Sequence, residues 1–280
     1  MKTEKSFKLI SIAIVTLWVS IFISGAFLIV IFISLKTAKT HDLFGANFTL
    51  QNYLKLIDPL VLKVIIRSSE MALATTLFCL LIGYPFAYCM TRLPRRWQAL
   101  ISVLLIIPFW TSSLIRSYAI LAILKANGLL NKLLIFTGII ETPLSILFTN
   151  AAVLTGLVYD LLPFMIFPIY MQLEKLDKNL IHAASDLGAT AWTTMRRIIV
   201  PLSMPGIMTG VIFVFLPAMT LFYIPDLLGG AHSMLLGNFI QFQFLTTNNW
   251  QGGAATSIVL TTFLLILMMS YRLTTRSTKG

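Results

Sequence analysis

Charge is what this sequence has least of. Asp, Glu, Lys and Arg together make up 11% of its 280 residues, against about 25% in an ordinary soluble domain. Acid is the scarcer sign, with 10 Asp and Glu against 21 Lys and Arg and a formal net charge of +11. So little polarity excludes a disordered chain, and the lack of a glycine period excludes a collagen-like one. A nucleic-acid binder shares such a basic balance, but not a hydrophobic content of 58%. Cysteine is also rare. Cys79 and Cys89 are the two present, too few for a disulfide framework. Ten helical residues set them about 15 Å apart, beyond bridging distance, so both read as small buried hydrophobes. No G-x-x-x-x-G-K-[ST] pattern occurs, so the chain does not cradle ATP in a P-loop. No Cys/His cluster suggests a metal site. His41, His182 and His232 all fall in the predicted loops between spans, which leaves no intramembrane Ser–His pairing.

What is abundant is the long apolar run. A membrane-spanning helix needs about 20 mostly apolar residues. Six runs meet that requirement: Leu9 to Leu35, Val64 to Met90, Ala99 to Ile123, Leu147 to Tyr170, Met204 to Ile224 and Ala254 to Tyr271. The composition therefore predicts an all-α polytopic membrane protein with a single membrane domain over residues 1–280 and short connections. Lys2, Lys5 and Lys8 followed by an apolar run resemble a signal peptide, and Ser24-Gly25-Ala26 resembles a cleavage site. The run continues to Leu35, too long for an ordinary signal core, so an uncleaved first span is expected.

Orientation follows from the basic residues. With the N-terminus inside, the inner segments hold Lys2, Lys5, Lys8, Arg92, Arg95, Arg96, Lys175, Lys178, Arg196, Arg197, Arg272, Arg276 and Lys279. The outer segments hold Lys36, Lys39, Lys55, Lys63, Lys125 and Lys132. Both termini are expected in the cytoplasm.

The segment at about 172–203 is too polar to span and too patterned for a linker. Leu176, Leu180, Ala183, Ala184 and Leu187 form one helical stripe. Asp177 is placed to cap that helix and Gly188 to end it, because φ > 0 is cheap at glycine. Thr190 is placed to cap a second helix with Trp192, Met195 and Ile199 on its apolar face, and Pro201 to stop it. On periodicity alone an interfacial amphipathic hairpin fits equally well.

The spacing of particular residues adds a resemblance. His182-Ala183-Ala184, three residues, Gly188, nine residues and Ile198-Ile199-Val200-Pro201 resemble the EAA loop of ABC importer permeases, whose pattern is Glu-Ala-Ala, three residues, Gly, nine residues, Ile-x-Leu-Pro. The loop also lies between the fourth and fifth of six spans. His182 stands where that family has Glu, and Val200 where it has Leu; Asp186 is a candidate substitute for the missing acid. Gly83-Tyr84-Pro85-Phe86-Ala87-Tyr88, Ile107 to Arg116, Leu162-Pro163-Phe164-Met165, Glu174-Lys175-Leu176-Asp177 and Phe222 to Gly230 resemble the polyamine (spermidine/putrescine) branch of these permeases, over nearly the whole chain from about Phe48. The resemblance implies the type I ABC importer permease fold and a bacterial inner-membrane location. It implies a PotC-like second permease, two copies of a PotA-like ATPase that bind ATP and Mg, and a PotD-like periplasmic binding protein. ATP-driven closure of the ATPases then moves the EAA helices and rocks the spans between inward- and outward-facing states. His182, Ala183, Ala184, Asp186 and Gly188 become candidates for ATPase coupling. A permease for another small solute in the same family, or a secondary transporter, is the competing reading; a secondary transporter commonly shows internal repeats and broken helices, and no clear repeat is present.

A path for a flexible polycation needs carboxylates and aromatic faces, and charge inside a membrane belongs against a cavity or a partner. Asp160 is the deepest acid, about ten residues into the fourth span, with Tyr159 before it and Pro163 and Pro168 after it. It either contacts a cation or pairs with Arg116, whose depth differs by about 6 Å at 1.5 Å per residue; the pair is the favoured reading. Glu70 follows Arg67 by three residues and is expected to pair with it. Asp226 lies beyond the fifth span, after Tyr223 and Pro225, in position to meet substrate or a binding protein. Trp110, behind Pro108, either stacks on an amine or packs in an interface. The candidate substrate path is Trp110, Tyr159, Asp160, Tyr223, Asp226 and Glu70.

Overall fold

The computed structural model describes residues 2–37, 47–230 and 233–277, with side chains for 12–37, 47–177, 179–230 and 233–269. His41 and His232 lie outside the described residues. In chain order the helices are α1 (Lys2–Ser34), α2 (Gln51–Leu54), α3 (Pro59–Arg92), α4 (Arg95–Ile106), α5 (Ser113–Leu124), α6 (Leu129–Phe136), α7 (Asn150–Glu174), α8 (Lys178–Asp186), α9 (Ala191–Thr194), α10 (Val200–Thr220), α11 (Tyr223–Gly229), α12 (Leu236–Leu245) and α13 (Trp250–Ser277). An isolated antiparallel bridge joins Lys36 to Phe48. Six segments are long and apolar enough to cross a membrane: Ile12–Ser34, Pro59–Arg92, Ser113–Phe136, Asn150–Glu174, Ala191–Thr220 and Trp250–Met269. The all-α, six-span expectation therefore holds. The chain divides into two compact units, one of Met1–Leu62 with Phe239–Met269, the other of Lys63–Asn238 with Ser270–Gly280.

In the first unit, the connection after α1 is built rather than loose. Asn52 donates to the carbonyls of Ser34 and Lys36, at 2.8 Å each, and the Ser34 and Tyr53 hydroxyls bond at 2.7 Å. Lys36 is buried, its ammonium 4.8 Å from the Phe32 ring centroid and 4.2 Å from that of Phe48, so cation–π attraction replaces part of its lost hydration. Asn249 explains why α13 starts at Trp250 and not at Ala254. Its side chain accepts from the Gly252 N–H at 3.1 Å and is held by Gln243, satisfying a donor that the first turn leaves free.

The second unit is organised around α7. Leu124, Ala152, Val153, Leu157, Ile224, Leu228 and Leu235 form a buried cluster joining α5, α7, α11 and the segment before α12. α10 packs closely on α7 at two glycines. A Cβ at Gly206 would sit 2.7 Å from the Pro168 carbonyl oxygen and 3.2 Å from Ile169 Cα, and one at Gly210 would sit 2.7 Å from Met165 Sδ. Small residues let backbones approach closely, the main source of packing energy where lipid removes the hydrophobic drive.

Several boundaries depart from the sequence reading. The run from Ala99 to Ile123 is two helices, not one: α4 passes into a 3₁₀ turn at Ile107–Trp110, and Thr111 and Ser112 are extended (ψ 147° and 134°) before α5 begins. Pro108 lacks a backbone N–H, and hydropathy is blind to a break that keeps its side chains apolar. The fifth span ends at Thr220, and Ile224 belongs to the separate α11. The connections after the third and fifth apolar runs, expected to be plain loops, contain α6, α11 and α12. Pro201 does not stop a helix. The chain stays helical from Ala191 to Thr220, and Met195–Ile199 widen into a π-turn immediately before α10. Proline at position i removes one intrahelical bond and crowds the carbonyl four residues back; here that carbonyl belongs to Arg197, inside the widened turn. Both cysteines are free, with Cys79 buried as expected and Cys89 exposed on this chain.

Candidate functional site

Asp160 lies on α7 ten residues after Asn150, about 15 Å along the helix and so near the middle of a hydrocarbon core about 30 Å thick. A carboxylate there needs donors. Arg116 on α5 supplies one, its Nη2 lying 2.9 Å from Asp160 Oδ1; the side chains are only 11% and 9% exposed. Ser113, in the first turn of α5, donates to the same oxygen at 2.8 Å. Tyr223, at the start of α11, donates to Oδ2 at 3.3 Å. Each hydroxyl has one proton to give, so with Ser113 donating to Oδ1 the Tyr223 proton is shared between Ser113 Oγ, at 2.6 Å, and Oδ2. The helix break at Thr111 and Ser112 creates this arrangement, because it places the N-terminal turn of α5 beside the carboxylate, where the helix dipole favours negative charge.

The pairing is incomplete. Arg116 Nε is buried with no hydrogen-bond partner. The guanidinium lies over the Phe109 ring at 5.2 Å, and that ring meets Phe164 edge-on at 5.0 Å. Three aromatic rings thus accompany one carboxylate and one guanidinium within the second unit.

Of the sequence candidates, the structure brings Asp160 and Tyr223 together, and adds Ser113 and Phe109. Neither of these was singled out from the sequence; the available signal was that Ser113 precedes Arg116 by three residues, which puts both on one helix face. Tyr159 is half exposed, Trp110 is 85% exposed, and Glu70 and Asp226 are exposed. The expected Arg67–Glu70 pair is absent: Arg116–Asp160 is the ion pair among the described residues. Arg67 donates instead to Asn150 Oδ1 at 2.9 Å, across 83 residues of sequence. Spacing on a helix permits a pair, but a neighbouring helix offered a nearer acceptor.

The polar segment forms the expected helix–glycine–helix. Asp177 accepts from the Asn179 N–H, Thr190 from the Thr193 N–H, and Gly188 takes φ +79°. His182 lies within α8, and His182, Ala183, Asp186 and Gly188 are exposed while Ala184 is buried. The expected stripe does not form a closed core. Leu180, Ala183, Ala184 and Leu187 line an open apolar groove shared with Thr193, Thr194 and Ile198, and Leu187 is 88% exposed. Trp192 is also exposed, while Ile199 is buried. Tyr84 of α3 bonds the Ser203 hydroxyl of α10 at 3.1 Å and reaches Met195 Sδ, where the π-turn begins, at 4.0 Å, so α3 holds the junction between this element and α10.

Six apolar spans, a buried polar cluster between helices and a capped helix–glycine–helix with an open apolar groove define a polytopic membrane protein with a polar site among its helices and an uncovered surface on its polar loop. Residues 79–280 match the family of binding-protein-dependent transport system inner membrane components, and the chain belongs to that family. It is a multi-pass inner-membrane permease subunit of an ABC importer, not an enzyme. It is 48% identical over 254 residues to the spermidine/putrescine transport system permease protein PotB of Escherichia coli, covering 91% of this chain and 92% of that one. It is 46% identical to the PotB of Salmonella typhimurium over 271 residues, covering 97% and 94%. Among solved structures it resembles a chain of a bacterial ABC transporter involved in the import of the acidic polysaccharide alginate, with a TM-score of 0.81 at 14% identity over 100% of this chain and 98% of that one. That likeness establishes the importer-permease fold.

Proposed function

We propose that this chain is the PotB-like permease subunit of an ATP-driven importer of spermidine and putrescine. The observation that carries the reading is identity of 44–48% over 91% or more of the chain to permeases named for those two polyamines. The cluster around Asp160 supports it, since carboxylate, hydroxyls and aromatic faces are what an alkylammonium exchanges for water. In this reading the chain forms half of the path beside a PotC-like permease. Two PotA-like ATPases bind ATP and Mg, and a PotD-like binding protein delivers cargo from the periplasm. Both termini and the loop at about 172–203 face the cytoplasm, in keeping with the basic residues those segments hold. The whole chain acts as one permease domain, with Trp110, Tyr159, Asp160, Tyr223, Asp226 and Glu70 along the path. His182, Ala183, Ala184, Asp186 and Gly188 serve the ATPase contact.

Reconstitution of the four components in liposomes tests this. Uptake of labelled spermidine or putrescine is expected only with ATP and the binding protein together. Uptake of neither overturns the polyamine reading, and uptake without ATP favours a secondary transporter. Asp226, exposed in the first turn of α11, has its own test. Asp226→Asn removes a charge without removing volume, and is expected to lower uptake about tenfold, the worth of one charge-assisted hydrogen bond, with the complex still assembled. Wild-type uptake would remove Asp226 from the path.

A further inference from the structure

Asp160 is the obvious carboxylate for a cationic cargo, yet it is already occupied. Its occupant is itself a cation, belonging to the protein and held by a single ion-pair contact. A buried pair retained for stability alone is expected to be saturated, because each unmet donor at low dielectric is costly. This pair is not saturated. Arg116 spends one nitrogen on Oδ1, leaves Nε buried and unpaired, and rests its face on Phe109 at 5.2 Å. Asp160 Oδ2 receives only the long Tyr223 bond at 3.3 Å. The two hydroxyls on the carboxylate bond each other at 2.6 Å, and each can turn to donate or accept. The carboxylate therefore keeps capacity for another donor, and the guanidinium keeps an aromatic face when it lets go.

We propose that Arg116 is a tethered counter-cation that occupies Asp160 between transport cycles and is displaced from it by an ammonium group of the cargo. The proposal rests on the polyamine reading and adds the competitor at that site. While Arg116 holds Asp160, a charge in the middle of the membrane is neutralised with no cargo present. When cargo arrives, one cation replaces another, so the carboxylate is never left bare. Cargo then binds with an apparent affinity lowered by the fraction of time Arg116 is in place, which favours release.

The test separates a latch from a structural pair through neutral variants in the fully reconstituted importer, with assembly read by co-purification. Arg116→Gln frees Asp160. If Arg116 is in place about nine-tenths of the time, the KM for spermidine is expected to fall about tenfold. Arg116→Gln/Asp160→Asn carries no unpaired charge and so assembles in either case. A latch predicts that the double variant loses uptake, because the cargo carboxylate is gone. A structural pair predicts that it transports like the wild type, and that result overturns the proposal. An unchanged or raised KM in an assembled Arg116→Gln importer overturns it too; if that single variant fails to assemble, the KM is read instead in Arg116→Lys, which keeps the charge but loses the planar guanidinium, and there too a lowered KM supports the latch and an unchanged or raised one overturns it. Wild-type complex that takes up no polyamine removes the underlying reading, and the latch with it.

Discussion

Gly188→Val is expected to uncouple this importer: uptake falls at least tenfold and binding protein no longer stimulates ATP hydrolysis, while the complex still assembles. The reason is backbone conformation. Gly188 sits at φ +79°, and a Cβ there would meet nothing within 4 Å, so no clash is involved. A β-branched residue held at positive φ costs roughly 1–3 kcal/mol, and the chain escapes that cost by re-aiming α8 relative to α9. The groove at Leu180, Ala184 and Ile198 is what that movement would deform. Because strain and not volume is the cause, Gly188→Asn should be tolerated far better than Gly188→Val, since Asn visits the left-handed region readily. Stimulated hydrolysis and uptake measured on both variants check this; normal coupling in Gly188→Val would deny the loop a coupling role.

The second large effect is expected at Gly206. Gly206→Leu should abolish recovery of the assembled complex. A Cβ there would lie 2.7 Å from the Pro168 carbonyl oxygen and 3.2 Å from Ile169 Cα. Both are backbone atoms, so neither can give way by rotating. The helix pair must part, and overpacking of this kind typically costs about 1–3 kcal/mol even where side chains can adjust. Separation would also pull Pro168 and α7 away from α10 along the contact that continues to Gly210. Gly25→Leu is the control: it is also in a membrane helix, but a Cβ there meets nothing within 4 Å, and assembly should persist. Comparable yields for the two variants, read by detergent extraction and size-exclusion chromatography, would show that α7 and α10 are not packed this way.

Local chemistry was legible in the sequence and distant choice was not. Asp177, Gly188 and Thr190 fell into their capping roles because a cap involves only residues two or three apart. Five of the six apolar runs were legible because length and hydropathy suffice, whereas the third was expected at Ala99–Ile123 and the span lies at Ser113–Phe136. The break before Ser113 was not legible, because α4 and α5 are equally apolar on either side of it, and only Pro108 hinted at an interruption. Arg67 and Glu70 had the right spacing, yet Arg67 turned to Asn150 on another helix. Asp160 and Arg116 were matched by depth, but the hydroxyls that complete their cluster come from a helix start and from α11, neither visible as a separate element. Pro201 misled because proline usually ends a helix, and the widened turn that accommodates it has no composition of its own.

That widened turn has a consequence for aim. In an α-helix each residue advances the side-chain direction by about 100°, so one added residue in a π-turn rotates everything beyond it by that much. Trp192 and Ile199 precede or lie within the turn, while Gly206 and Gly210 follow it. Met195–Ile199 therefore work as an angular offset between two surfaces on what is otherwise a single rod. The face offered at the loop and the face pressed on α7 would be out of phase without it. A residue gained or lost there would leave both surfaces chemically intact and point one of them the wrong way.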